Sequence, residues 1–130
     1  MNPTNLTVLL VDDDEEQRAY LSHKFIERGC RILQASNPVD ALMLAGRHEV
    51  DIVVSDFLMP GGKDTGVELL QTLGSQPGRR PVLVLTTGFV EFLPDQAFNL
   101  NEIAVIFTKP FDAEKLISTA FERINQKATA

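Results

Sequence analysis

Apolar residues fall in short blocks along the chain, and each block stops abruptly at polar residues. The first runs from Leu6 to Val11 and ends at Asp12, Asp13 and Asp14. Runs of about four to eight apolar residues, rich in Val and bounded by polar clusters, read as buried strands. Comparable blocks are Cys30 to Ala35, Asp51 to Ser55 with Asp56 after it, Pro81 to Leu85, and Ile103 to Phe107. Between blocks the period changes. Glu15 to Arg28 carries Ala19, Tyr20, Phe25 and Ile26 at helical spacing. Asp14 and Gln17 have the spacing of a capping box, and Gly29 stands where a helix C-terminus favours glycine. Asn37-Pro38 pairs an N-cap residue with a proline at the first helical position, and opens a helix to about Arg47. A loop with Pro60, Gly61, Gly62 and Gly66 precedes a helix from Val67 to Leu73. The last helix, Asp112 to Ile124, has an apolar stripe of Leu116, Ile117, Ala120, Phe121 and Ile124. Gly88, Pro94, Asn99 and Asn101 oppose a long helix between the fourth and fifth blocks, so a short or irregular one is expected there.

Five apolar strands alternating with helical segments imply an α/β fold: a doubly wound parallel sheet covered on both faces, with right-handed crossovers. The chain has 130 residues, 44% of them hydrophobic. That suits a single domain over 1–130, with a core from about 6 to 124. The net charge is −6 and no basic cluster stands out, so direct nucleic-acid binding is not expected. Cys30 has no partner for a disulfide or a cysteine metal cage, and reads as buried packing. Met1 to Thr7 lacks a signal-peptide pattern, and no apolar run approaches the roughly 20 residues that span a bilayer. A cytoplasmic protein is expected.

In open parallel sheets ligands bind beyond the carboxyl ends of the strands. Here the first strand ends in Asp12-Asp13, the third in Asp56, the fourth in Thr86-Thr87 and the fifth in Thr108-Lys109-Pro110. Taken singly these residues say little. Acids after a strand also complement a helix N-terminus, Asp56 also suits a turn, and threonines are ordinary strand ends. Together they make one chemistry. Three carboxylates in one shallow pocket repel one another. A hard divalent cation relieves that conflict, because Mg²⁺ prefers oxygen ligands. It also neutralises phosphoryl oxygens during transfer. A carboxylate oxygen is a competent nucleophile toward phosphorus. A hydroxyl and an ammonium then hold the transferred group.

The motifs are Val11-Asp12-Asp13-Asp14, the run from Asp51 through Ser55-Asp56 to Met59-Pro60, the run from Pro81 to Thr86, and Thr108-Lys109-Pro110-Phe111. In order and separation they resemble the receiver domain of two-component response regulators, the CheY-like superfamily, from about Leu6 to Ile124. The resemblance implies a flavodoxin-like sheet in order 2-1-3-4-5 with five helices. It implies Asp56 as phosphoacceptor, and a Mg²⁺ or Mn²⁺ site made by Asp12, Asp13, Asp56 and the backbone carbonyl of Leu58. It implies Thr86 as the phosphoryl-binding hydroxyl and Lys109 as its ammonium. Thr87 becomes the hydroxyl if the match shifts by one residue. The domain would be a signalling switch rather than an enzyme, catalysing only its own phosphorylation and slow dephosphorylation. Its partners would be a histidine kinase or histidine phosphotransfer protein and a downstream protein or attached domain; a homodimer is compatible.

Three features depart from the family pattern. Gly61 to Thr65 lengthen the loop before Gly66 by about two residues. Ile106 replaces the aromatic switch residue three positions before the lysine, and strand alternation sends the neighbouring Phe107 to the other face. Thr87 stands where a smaller residue is common. A phosphate-independent pseudo-receiver, acting only as an interaction module, is the alternative that the intact acidic set opposes. A phosphohydrolase would need a second acid where Leu58 stands. A flavodoxin-type cofactor phosphate would be repelled by the acids after the first strand.

Overall fold

Five parallel strands form one sheet in the order β2-β1-β3-β4-β5. They are β1 (Thr7–Val11), β2 (Arg31–Ala35), β3 (Ile52–Asp56), β4 (Val82–Thr87) and β5 (Ala104–Thr108). The structure is a computed structural model that describes residues 5–56, 65–74, 81–88 and 104–129. Its helices are α1 (Glu15–Glu27), α2 (Pro38–Arg47), α3 (Thr65–Gly74) and a C-terminal helix, α4 (Ala113–Thr129). The irregular helix expected before β5 lies outside the described residues, as does the loop from 57 to 64.

Strand alternation divides the core in two. Leu9, Val11, Val53, Leu83 and Leu85 pack with Ala41 of α2 and Leu69, Leu70 and Leu73 of α3. The alternate residues Val8, Leu10, Ile52, Val54, Val82 and Val84 pack with Leu21 and Phe25 of α1 and Leu116, Ile117, Ala120 and Phe121 of α4. Both faces of β1, β3 and β4 are therefore dry, which is why these strands read as continuous apolar runs. At the amino end, Asp51 ties three strands together. Its carboxylate accepts from the Thr7 N–H at 2.9 Å, its N–H donates to the Thr7 carbonyl, and its carbonyl accepts from Val82.

Helix α1 forms where its apolar spacing predicts, and two other helix boundaries need correction. On α1, Tyr20 and Ile26 are about half exposed and Ala19 is exposed as well. The buried row is Leu21, Ser22 and Phe25, with Arg18 half-buried, so the core-facing stripe sits a fraction of a turn away. Residues spaced three and four apart define that stripe, and a serine inside it hides it from an apolar count. Helix α3 begins at Thr65, so Gly66 is helical rather than looped. Helix α4 continues to Thr129, because Gln126, Lys127 and Ala128 favour helix and no breaker intervenes.

Gly29 ends α1 in a Schellman motif. Its φ is +88°, its N–H donates to Ile26 at 2.9 Å, and the Cys30 N–H reaches back to Phe25 at 3.2 Å. Cys30 and Phe25 are both buried in the same cluster, which completes the apolar contact of that motif. An added Cβ would meet nothing within 4 Å. Gly29→Ala should thus act through backbone strain alone, costing about 1–2 kcal/mol. Urea denaturation measures this; an unchanged midpoint would mean that the cap tolerates a side chain.

Candidate functional site

The carboxyl ends of β1, β3, β4 and β5 meet at one rim because the strands are parallel and in register, with Asp56 opposite Thr86 and Thr86 opposite Phe107. Alternation then sorts the side chains. Asp12 continues the row of Val8 and Leu10, Asp56 that of Ile52 and Val54, Thr86 that of Val82 and Val84, and Lys109 that of Phe107. All four rows belong to the α1/α4 side. Thr87 and Ile106 continue the opposite row; Ile106 packs against the α2/α3 cluster, and Phe107 against the other. A small cleft beneath the rim is lined by Asp12, Asp56, Thr86 and Arg18.

Carboxylate oxygens of Asp12, Asp13 and Asp56 all lie within 4.8 Å of one another. Lys109 Nζ is 3.0 Å from Asp56 Oδ1 and 3.7 Å from Asp12 Oδ2. The Lys109 N–H donates to the Thr87 carbonyl at 2.7 Å, which fixes the start of its loop against β4. Of the residues singled out in the sequence, Asp12, Asp13, Asp56, Thr86 and Lys109 thus share one end of the sheet, and Leu58 lies outside the described residues. Three carboxylates and one ammonium leave a net negative pocket of hard oxygen donors. That donor set fits a divalent cation such as Mg²⁺.

The turn between β1 and α1 has its own scaffold. Asp14 caps α1, accepting from Glu16 and Gln17 N–H groups at 3.0 and 3.3 Å. The spacing to Gln17 predicts a reciprocal capping box, but the Asp14 N–H donates to Asp12 Oδ1 at 2.9 Å. Asp12 therefore takes the place of Gln17 in the box. Arg18, which the sequence reading passed over, donates from Nη1 to the Asp12 carbonyl at 2.6 Å and from Nε to Gln34 Oε1 at 3.2 Å. Its position near the start of α1, six residues after Asp12, was the available signal.

Burial pushes the Asp12 carboxyl above its ordinary range, and the charges of Asp56 and Asp13 push the same way; the Asp14 N–H and Lys109 oppose them. A raised folded-state pKa means that ionised Asp12 works against folding. The penalty is present in full above the folded-state value and fades as pH falls through it toward the unfolded value near 3.8. In metal-free buffer Asp12→Asn should therefore raise the Tm near neutral pH, and the gain should shrink on acidification. A lower Tm near neutrality would show that the lost carboxylate bond to Asp14 outweighs the relief of repulsion.

Among the described residues no helix is long and apolar enough to cross a membrane. The family model for the response regulator receiver domain matches residues 8–121. The chain is 29% identical to protein PilH of Pseudomonas aeruginosa over 113 residues, covering 86% of this chain and 92% of PilH. It is 31% identical to the alkaline phosphatase synthesis transcriptional regulatory protein PhoP of Bacillus subtilis, covering 86% of this chain and 45% of PhoP. The match to the transcriptional regulatory protein GlrR of Escherichia coli spans only 27% of that protein. Among solved structures, the receiver domain of an HD domain-containing protein from Pseudomonas fluorescens superposes with a TM-score of 0.82 at 26% identity, covering 99% and 96% of the two chains. The chemotaxis regulator CheY4 of Vibrio cholerae gives 0.75 at 27% identity, covering 93% and 99%. A five-stranded 2-1-3-4-5 sheet with its acids gathered at the carboxyl rim, matched over most of its length by that family model, makes this chain a member of the response regulator receiver domain family.

Proposed function

We propose that this domain is a phosphoacceptor switch of a two-component or phosphorelay system, with Asp56 taking the phosphoryl group. The observation that carries the reading is the meeting of Asp56 with Lys109 at 3.0 Å and with two further carboxylates within 4.8 Å. Asp12, Asp13 and Asp56 would hold the Mg²⁺ or Mn²⁺, together with the Leu58 carbonyl. The bound cation supplies positive charge that neutralises phosphoryl oxygens. An Asp56 oxygen attacks phosphorus as the P–N bond to a donor histidine breaks; the departing imidazole nitrogen keeps that electron pair and takes a proton. Lys109 pairs with one phosphoryl oxygen, and the Thr86 hydroxyl donates to another. Thr86 is preferred over Thr87 because it shares the Asp56 side of the sheet. Water later hydrolyses the acyl phosphate slowly, at the same site.

The donor would be a histidine kinase or a histidine phosphotransfer protein in the cytoplasm, and phosphorylation would bias which protein partner binds. Beryllofluoride, which mimics a phosphoryl group on a carboxylate, tests this. With Mg²⁺ present, ¹⁹F NMR should show protein-bound fluoride in the wild type and none in Asp56→Asn. No bound signal in the wild type would favour a phosphate-independent interaction module.

A further inference from the structure

Helix α2 is apolar on two opposite faces. Ala41 is buried in the core, and Leu44 and Ala45 pack against the same cluster. Half a turn away, Val39, Leu42, Met43 and Gly46 follow the spacing of a single helical stripe. That stripe faces out: Val39 is 67% exposed, Leu42 37% and Met43 50%. Five large hydrophobic residues are exposed among the described residues, and three of them are here. Single exposed apolar residues are normal, whereas a contiguous row marks a contact surface. An added Cβ at Gly46 would meet nothing within 4 Å, so its missing side chain serves no close contact inside the domain.

The charges say what fits. Only Asp40 and Arg47 are charged in α2, in its first and last turns. They are seven residues apart, close to two turns, and so lie on one flank of the stripe. We propose that this face pairs with the same face of a second copy of the chain, the two α2 helices running antiparallel. In that arrangement each Asp40 meets the partner's Arg47 on the same flank. A parallel pair would carry the two Asp40–Arg47 flanks to opposite sides of the seam, where neither charge meets its opposite. The stripe is centred between Leu42 and Met43, so Val39 faces the partner's Gly46, which permits close approach. A helix of 10 residues is about 15 Å long, and an interface of that size falls below the roughly 1,200 Å² of stable complexes. The pairing is therefore weak and concentration-dependent.

Sedimentation velocity on the whole chain should show a monomer at low micromolar concentration and a dimer approaching about 1 mM, the range expected of a weak interface. Met43→Glu should abolish the dimer while far-UV circular dichroism stays unchanged, since the site is exposed. Single-cysteine oxidation tests the orientation without destabilising charges, against a background in which Cys30 is buried. Met43→Cys should cross-link to itself. Val39→Cys should not, because its copies would lie about 10 Å apart along the helices, beyond the roughly 7 Å that a disulfide allows. Mixing Val39→Cys with Gly46→Cys should restore the cross-link. A monomer at every concentration, a dimer indifferent to Met43→Glu, or self-cross-linking of Val39→Cys would each overturn the proposal; the first leaves this face to a different protein.

Discussion

Asp56→Asn is expected to take up no phosphoryl group from acetyl phosphate and Mg²⁺, read by intact-protein mass spectrometry. The amide cannot form the acyl phosphate, and no other carboxylate in the cluster stands against Lys109 in the same way. Asp12 is 3.7 Å from that ammonium, whereas Asp56 is at 3.0 Å. Asp12 is also buried and committed to the Asp14 N–H through Oδ1. If Asp56 is the acceptor, losing its carboxylate should slow labelling by at least about three orders of magnitude, equivalent to about 4 kcal/mol in barrier height. The variant should still fold, because removing one of three crowded charges relieves repulsion. Equal labelling of the variant, mapped to another residue, would refute Asp56 as acceptor.

Asp13→Ala should weaken Mg²⁺ binding, measured by isothermal titration calorimetry, by at least the about 10- to 100-fold that loss of a mere supporting contact costs at metal sites. Asp13 is exposed, so its removal leaves the core intact. A second readout separates binding from folding. In the wild type, Mg²⁺ at about 100 times its Kd should add about 2.7 kcal/mol of stability, and at the same concentration the variant should lose at least about 1.3 kcal/mol of that gain for a roughly 10-fold weakening and about 2.3 kcal/mol for a roughly 100-fold one. Unchanged affinity would remove Asp13 from the proposed cation site.

The strands and most helix ends were legible in the sequence for local reasons. Val, Ile and Leu blocks closed by acids or threonines mark strands whatever surrounds them. Asn37-Pro38 and Gly29 mark helix ends through backbone chemistry that needs no tertiary partner. The set Asp12, Asp13, Asp56, Thr86 and Lys109 was legible because a parallel sheet carries every strand end to one rim. What local pattern did not reveal was which face of α1 is buried. Its core stripe runs through Ser22 and leaves Tyr20 and Ile26 outside, and the direction a helix faces is set by what it packs against.

The sequence by itself determined which residue types end each strand, and therefore which chemistry the rim can support, since alternation and strand polarity are properties of the chain. Only the tertiary structure decided which of two adjacent threonines shares the Asp56 side, that Asp12 rather than Gln17 satisfies the Asp14 N–H, and that Arg18 reaches the Asp12 carbonyl. Those outcomes depend on strand register and on distances of a few ångströms between segments far apart in the chain, and no pattern within one segment encodes them.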